Sequence, residues 1–197
     1  MNGISMIKIK GSGIQSQINF VRDHFGDDGF SRWTEALSPA AKKIVASPIF
    51  ASSWYEGEHA VLELRNNICA VFFGNDPRGA RKIGAYTAEK ALTGIYRIFV
   101  RFGAPEWVIC RATRIFGTFF EPGIFNRVET LTGGMLIRLT DFPAKSDVFE
   151  ETICGFTQRA LELSGCVDVE VERICSIVRG DPHSDFKATW RGQPPHP

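Results

Sequence analysis

Long apolar runs are missing from this sequence. No stretch reaches the roughly 20 consecutive apolar residues that span a bilayer, and the start, MNGISMIKIK, has no signal-peptide core, so a cytoplasmic chain without a membrane span is expected. Charge of one sign is missing too: 23 Lys and Arg against 22 Asp and Glu leave a formal net charge of +1. Neither nucleic acid nor an anionic membrane surface has an electrostatic hold on such a chain. Cysteine is sparse, five residues without the dense spacing of a disulfide scaffold, which reads as free thiols in a reducing compartment. Histidine numbers four, and no G-x-S-x-G, C-x-x-C, H-E-x-x-H or dinucleotide fingerprint occurs, so acid–base or nucleophilic catalysis has little material and no enzyme is expected.

What is present is apolar bulk. At 197 residues, 44% hydrophobic and with 16 Phe, the chain suits one domain, 1–197, with a core, pocket or interface built from aromatic rings. The clearest stretch runs from Ser146 to Trp190. Asp147 with Glu150 three residues on reads as a capping pair at a helix start. Phe149, Ile153, Phe156, Ala160 and Leu163 then recur at helical spacing, and Gly165 supplies a left-handed stop. Val167, Val169 and Val171 alternate with acidic residues as in a strand with one wet face; Gly180, Asp181 and Pro182 turn the chain; Phe186, Ala188 and Trp190 alternate again.

Towards the N-terminus, Ile7 and Ile9 mark a short strand before Gly11-Ser12-Gly13. That tripeptide lacks the Lys-Ser/Thr pair of a phosphate loop and reads as a strand-to-helix turn. Ile14, Ile18, Val21 and Phe25 give a first helix stopped by Gly26, Ser38-Pro39 opens a second, and Val61, Leu64, Ile68 and Phe72 line a third that starts near Glu56. A helix over 78–102 carries small residues at Gly84, Ala88 and Ala91, which either admit another helix closely or leave room for a ligand. From Pro105 a helix with Trp107, Phe116 and Phe119 leaves little polar face. Val128 to Leu139 is a hairpin around Gly133-Gly134.

The pattern predicts an α+β fold. A helical half over about 12–121 packs beside a hairpin–helix–hairpin half over about 122–191, and the two hairpins with the first strand form one antiparallel sheet of about five strands. Phe72, Ile83, Tyr86, Trp107, Phe116 and Phe119 lie on helices with more apolar surface than one packing face needs. They are the candidate walls of a pocket for a small apolar ligand.

The C-terminal run resembles the 4-vinyl reductase-type ligand-binding domains through Cys154, Phe156, Val167, Val169, Val171, Cys175, Gly180, Asp181 and Phe186, with His183 about where that family has its last cysteine. Those domains share a superfamily with the haem–nitric-oxide (H-NOX) sensors, the TRAPP trafficking subunits and an uncharacterised myxobacterial family of similar length. The resemblance implies an H-NOX/TRAPP-like architecture with a ligand between helices and sheet. It also implies a metal set, Cys154, Cys175 and His183, whose thiolates and imidazole suit zinc. A tight turn at Gly180–Pro182 would hold Cys175 and His183 apart by roughly 13 Å at ~3.3 Å per residue. The haem sensors need an axial histidine and a Tyr-x-Ser-x-Arg signature; this chain has no histidine between His59 and His183 and no such signature. A non-enzymatic signalling sensor for a small apolar ligand is therefore expected, with cofactor and ligand left open. The alternatives are a dimerising or partner-binding module and a haem-based gas sensor.

Overall fold

β1 (Lys8–Lys10) runs directly into α1 (Gly11–Ala36) in the computed structural model of the chain, which describes residues 7–92, 114 and 116–191. Gly11 and Ser12 donate their N–H groups to the Ser53 and Ala51 carbonyls at 2.9 and 3.0 Å. A Cβ on Gly11 would lie 2.1 Å from the Phe50 carbonyl oxygen. Two of the free donors of the helix start are thus taken by the chain's own backbone, and the glycine serves a close approach. Gly26 does not end the helix as expected. Its left-handed φ of 65° kinks it, and the second half continues to Ala36. That half delivers Trp33, fully buried, whose indole N–H donates to the Leu64 carbonyl at 3.1 Å.

Ser38 caps α2 (Pro39–Ala46), its hydroxyl accepting from the Ala41 N–H. β2 (Trp54–Glu56), too short to show a period, precedes a π-helical turn at His59–Glu63 and then α3 (Leu64–Phe72). A 3₁₀ turn at Pro77–Gly79 leads into α4 (Ala80–Leu92). The rest of the helix expected to Phe102, and most of the one expected from Pro105, fall outside the described residues.

β3 (Phe120–Glu121), β4 (Ile124–Leu131), β5 (Gly134–Thr140), α5 (Asp147–Leu163), β6 (Val167–Cys175) and β7 (Ser184–Arg191) follow. Instead of one sheet there are two: β2-β1-β3, and β4-β5-β7-β6, every pairing antiparallel. Alternation in β1 tells which face is buried but names no partner. Its partners are two short strands without a period of their own. The class remains α+β, and one continuous cluster of buried side chains joins helices and four-stranded sheet, from Ile9 and Phe20 to Phe149 and Phe186.

α5 is the joint between the parts. Ser146 is its cap, the hydroxyl accepting from the Phe149 N–H at 3.2 Å, and Glu150 is no member of a capping pair but turns, 1% exposed, towards the sheet. On another side α5 meets α4 nearly backbone to backbone. A Cβ on Gly84 would lie 2.0 Å from the Thr152 carbonyl oxygen, and one on Gly155 would lie 2.1 Å from that of Arg81. The small residues of α4 therefore admit a helix, the first of the two uses that the sequence allows.

Candidate functional site

A cavity of about 80 Å³ lies between α1, α3, α4 and α5. Its wall is largely aromatic, from Phe116, Phe119, Phe120, Phe125, Phe149 and Phe156, and Ile9, Ile83 and Ile153 complete the apolar part. The rings meet one another: Phe120 and Phe149 edge to face with centroids 5.1 Å apart, Phe116 and Phe125 tilted at 5.4 Å.

Five polar side chains also reach this wall: Gln17, Arg65, Thr87, Thr152 and Thr157. Two are satisfied within their own helices, Thr87 donating to the Ile83 carbonyl at 2.9 Å and Thr152 to that of Val148 at 2.7 Å. The other three are not. Gln17 Oε1, Arg65 Nε and Nη1, and Thr157 Oγ1 are the buried side-chain polar atoms without a hydrogen-bond partner among the described residues, and all belong to residues on this one cavity. Gln17 reaches only its own helix, its Nε2 donating to the Gly13 carbonyl at 3.3 Å. Arg65 is 3% exposed and lies against the faces of Phe149 and Phe120, 4.9 and 5.5 Å from the ring centroids. Burial pushes its pKa down to about 10, which leaves it charged at neutral pH. Cys69, one turn along α3, is no counter-ion, because burial pushes its thiol up to about 11.

The pocket residues read from the sequence divide. Ile83, Phe116 and Phe119 stand on the cavity wall. Phe72 does not: it stacks on Phe25 at 3.8 Å beside the α1 kink. Tyr86 faces α1 instead, donating to Asp23 at 2.7 Å and packing on Phe20. Burial, and then that hydrogen bond, raise the phenol well above its ordinary range. Trp107 lies outside the described residues.

The metal set changes membership. Cys175, His183 and Asp185 bring one ligand atom each within 4.8 Å of the others. The roughly 13 Å expected from an extended strand at ~3.3 Å per residue does not apply, because a 3₁₀ turn at Ile177–Arg179 shortens the path between them. Cys154 is not in this group. It is fully buried on α5, where burial pushes its thiol up to about 12. Arg138 holds both Asp185 oxygens, through Nε at 2.7 Å and Nη2 at 2.8 Å, and keeps that carboxyl below its ordinary value. A cation placed here would compete with a guanidinium already in position.

Neither a protein-family model nor a curated protein matches the sequence. Solved structures do resemble it. An H-NOX protein from S. oneidensis in the Fe(II)NO ligation state has a TM-score of 0.71 at 10% identity, the match covering 93% of this chain and 100% of that one. An Fe(II) unliganded H-NOX protein from K. algicida has a TM-score of 0.62 at 12% identity, covering 93% and 97%.

The chain has the H-NOX fold. At such identities the likeness is one of backbone and carries no residue role with it. It supports the H-NOX side of the resemblance read from the sequence, while the 4-vinyl reductase, TRAPP and myxobacterial sides rest on the residue pattern alone. Within this H-NOX-like fold the unpartnered group on the cavity, Gln17, Arg65 and Thr157, was not singled out by the sequence, although each interrupts an apolar stripe. Gln17 lies among Ile14, Ile18 and Val21, Arg65 among Val61, Ile68 and Phe72, and Thr157 among Ile153, Ala160 and Leu161.

Proposed function

We propose that this chain is a non-enzymatic sensor or binding domain that takes a small, largely apolar ligand in the cavity between α1, α3, α4 and α5. One observation carries the reading: every unpartnered buried polar side-chain atom among the described residues belongs to a residue of that single aromatic-walled cavity. Proteins satisfy such atoms with great regularity. Unsatisfied groups gathered in one place mark a functional site more often than a folding error. The H-NOX fold supports a sensing role in general. The rest of this reading, a cytoplasmic signalling protein working as one domain over 1–197, is an extension of the sequence pattern, and no helix among the described residues is long and apolar enough to cross a membrane.

A haem-based gas sensor is the second reading, and the comparisons favour it over the first, since the similar structures are H-NOX proteins with Fe(II) in their descriptions. The side chains of this chain favour the first. Haem iron takes an axial donor from His, Cys, Met or Tyr, and none of these is among the described residues that line the cavity. The sequence has no histidine between His59 and His183. Among the described residues the donor set thus does not fit a haem of ordinary ligation. A zinc ion on Cys175 and His183, or a dimer in place of a ligand, are weaker readings of the same fold.

Paired native and denaturing mass spectrometry of freshly purified protein, with an absorption spectrum, separates all of these. An excess native mass of a small organic molecule, lost on denaturation, and no Soret band are expected. A Soret band with the mass of haem would install the second reading, and a bare dimer would replace both by an interaction module.

A further inference from the structure

We infer that the cavity binds an apolar carboxylate, with the acid group on the Arg65 guanidinium and the hydrocarbon among Phe116, Phe120, Phe149 and Phe156. This rests on the reading of the cavity as a ligand site and adds the chemical class of the ligand. The other buried charges among the described residues are all paired. Glu150, 1% exposed, is paired with Arg173; Glu151, 7% exposed, with Arg81 at 2.7 Å; Asp185, 4% exposed, with Arg138 at 2.7 Å. Arg65 is the exception, a buried cation without an anion among the described residues. An isolated charge away from water is among the costliest groups a fold can hold. Two aromatic faces offset part of that cost, but cation–π contact uses the flat of the guanidinium and leaves its edge N–H groups unpaired. Guanidinium N–H donors left free in this way suit a carboxylate, the group that Arg138 holds on Asp185 through Nε and Nη2 within the same chain.

The other unpartnered groups on the cavity suit the same head group. The Thr157 hydroxyl is free to donate to an anion's second lone pair, and the Gln17 carbonyl oxygen is free to accept from a protonated or hydrated oxygen. No other charged side chain lines the cavity among the described residues, so the ligand needs one negative charge and no more. The remaining wall is hydrocarbon, which selects an acid whose other end is a ring or a short chain.

Isothermal titration tests this with matched pairs, phenylacetate against phenylacetamide and hexanoate against hexanamide, at neutral pH on the wild type, Arg65→Met and Arg65→Lys. The acid of a pair should bind the wild type about tenfold or more tightly than its amide, the equivalent of one charge-assisted hydrogen bond. That preference should vanish in Arg65→Met and persist weakly in Arg65→Lys. Haemin, run beside them, separates the two sources of an apolar carboxylate: binding of haemin alone, lost in Arg65→Met, assigns the head group to a porphyrin side chain rather than a free small acid. Equal binding of acid and amide to the wild type would overturn the carboxylate and leave the apolar pocket standing. If no acid, amide or haemin binds, the cavity itself is no ligand site and both readings go.

Discussion

Glu150 and Thr157 lie two turns apart on α5, both buried, and their surroundings differ in kind. Glu150 accepts hydrogen bonds from Arg173, from the Ser176 hydroxyl at 2.7 Å and from the Ser184 hydroxyl, so a carboxylate taken out of water is fully answered. Thr157 has no hydrogen-bond partner among the described residues, and the cavity that it lines also holds Arg65 and Gln17 with free valences. Two stretches of one helix, two turns apart, thus follow opposite rules. A satisfied buried network contributes to a unique fold and is damaged by any deletion. An unsatisfied one subtracts from stability, and a fold that retains it is holding a site ready for something else.

The contrast can be broken first where the network is complete. Arg173→Met would leave Glu150 buried without its cation, and the loss expected is about 3–5 kcal/mol, read as a lower urea midpoint at an unchanged slope. Asp185→Asn removes the charge that Arg138 holds, for about 1.5–3 kcal/mol. Its pH dependence has a defined sign. The Arg138 hydrogen bonds lower the folded-state pKa of Asp185, so its contribution is fully present above the ordinary carboxylate value of about 3.9 and is lost as pH falls through the lower folded value. Stability measured against pH should therefore fall less steeply below about pH 4 in Asp185→Asn than in the wild type. Ser184→Ala takes one donor from Glu150 and should cost about 1–3 kcal/mol.

The matching deletion on the cavity side sharpens the comparison. Thr157→Val keeps the shape and removes a hydroxyl without a partner, so a change of less than about 1 kcal/mol, neutral or towards greater stability, is expected in thermal unfolding. Two hydroxyl deletions felt at points two turns apart along one helix should then differ in effect, Ser184→Ala costing stability and Thr157→Val costing none. Losses of equal size would mean that Thr157 has a structural partner after all.

Much of this molecule was legible in the sequence where a period repeats. α5, β5, β6 and β7 emerge close to their bounds from the spacing of Phe149, Ile153 and Ala160 and the alternation of Val169 with Val171 and of Phe186 with Ala188. What escaped has a physical reason in each case. Gly26 has the pattern of a stop because a left-handed glycine bends and ends helices by the same conformation. β2 and β3, of three and two residues, are held by β1 and carry no pattern of their own. Glu150 has the spacing of a capping residue, and only the fold places Arg173 and Ser184 where they draw it inward.

The site was half legible. Aromatic positions such as Phe116 and Phe119 follow from hydrophobic pattern, but Phe72 and Tyr86 share that pattern and face elsewhere, since periodicity tells how much of a helix is apolar and not what it faces. The stronger signal was the reverse one, a polar residue at a position where the stripe calls for an apolar one. Arg65, in step with Val61, Ile68 and Phe72, is the clearest instance.

The most direct test of the account is the thermal unfolding of Arg65→Met beside the wild type, both stripped of ligand until native and chain masses agree. A guanidinium kept for a ligand destabilises the empty protein, so the variant should melt higher, by about 2–4 °C for each kcal/mol of a gain that lies in the range of about 1–4 kcal/mol. A variant that melts lower than the wild type would show that Arg65 holds the fold together, and the cavity would lose its claim to be a site.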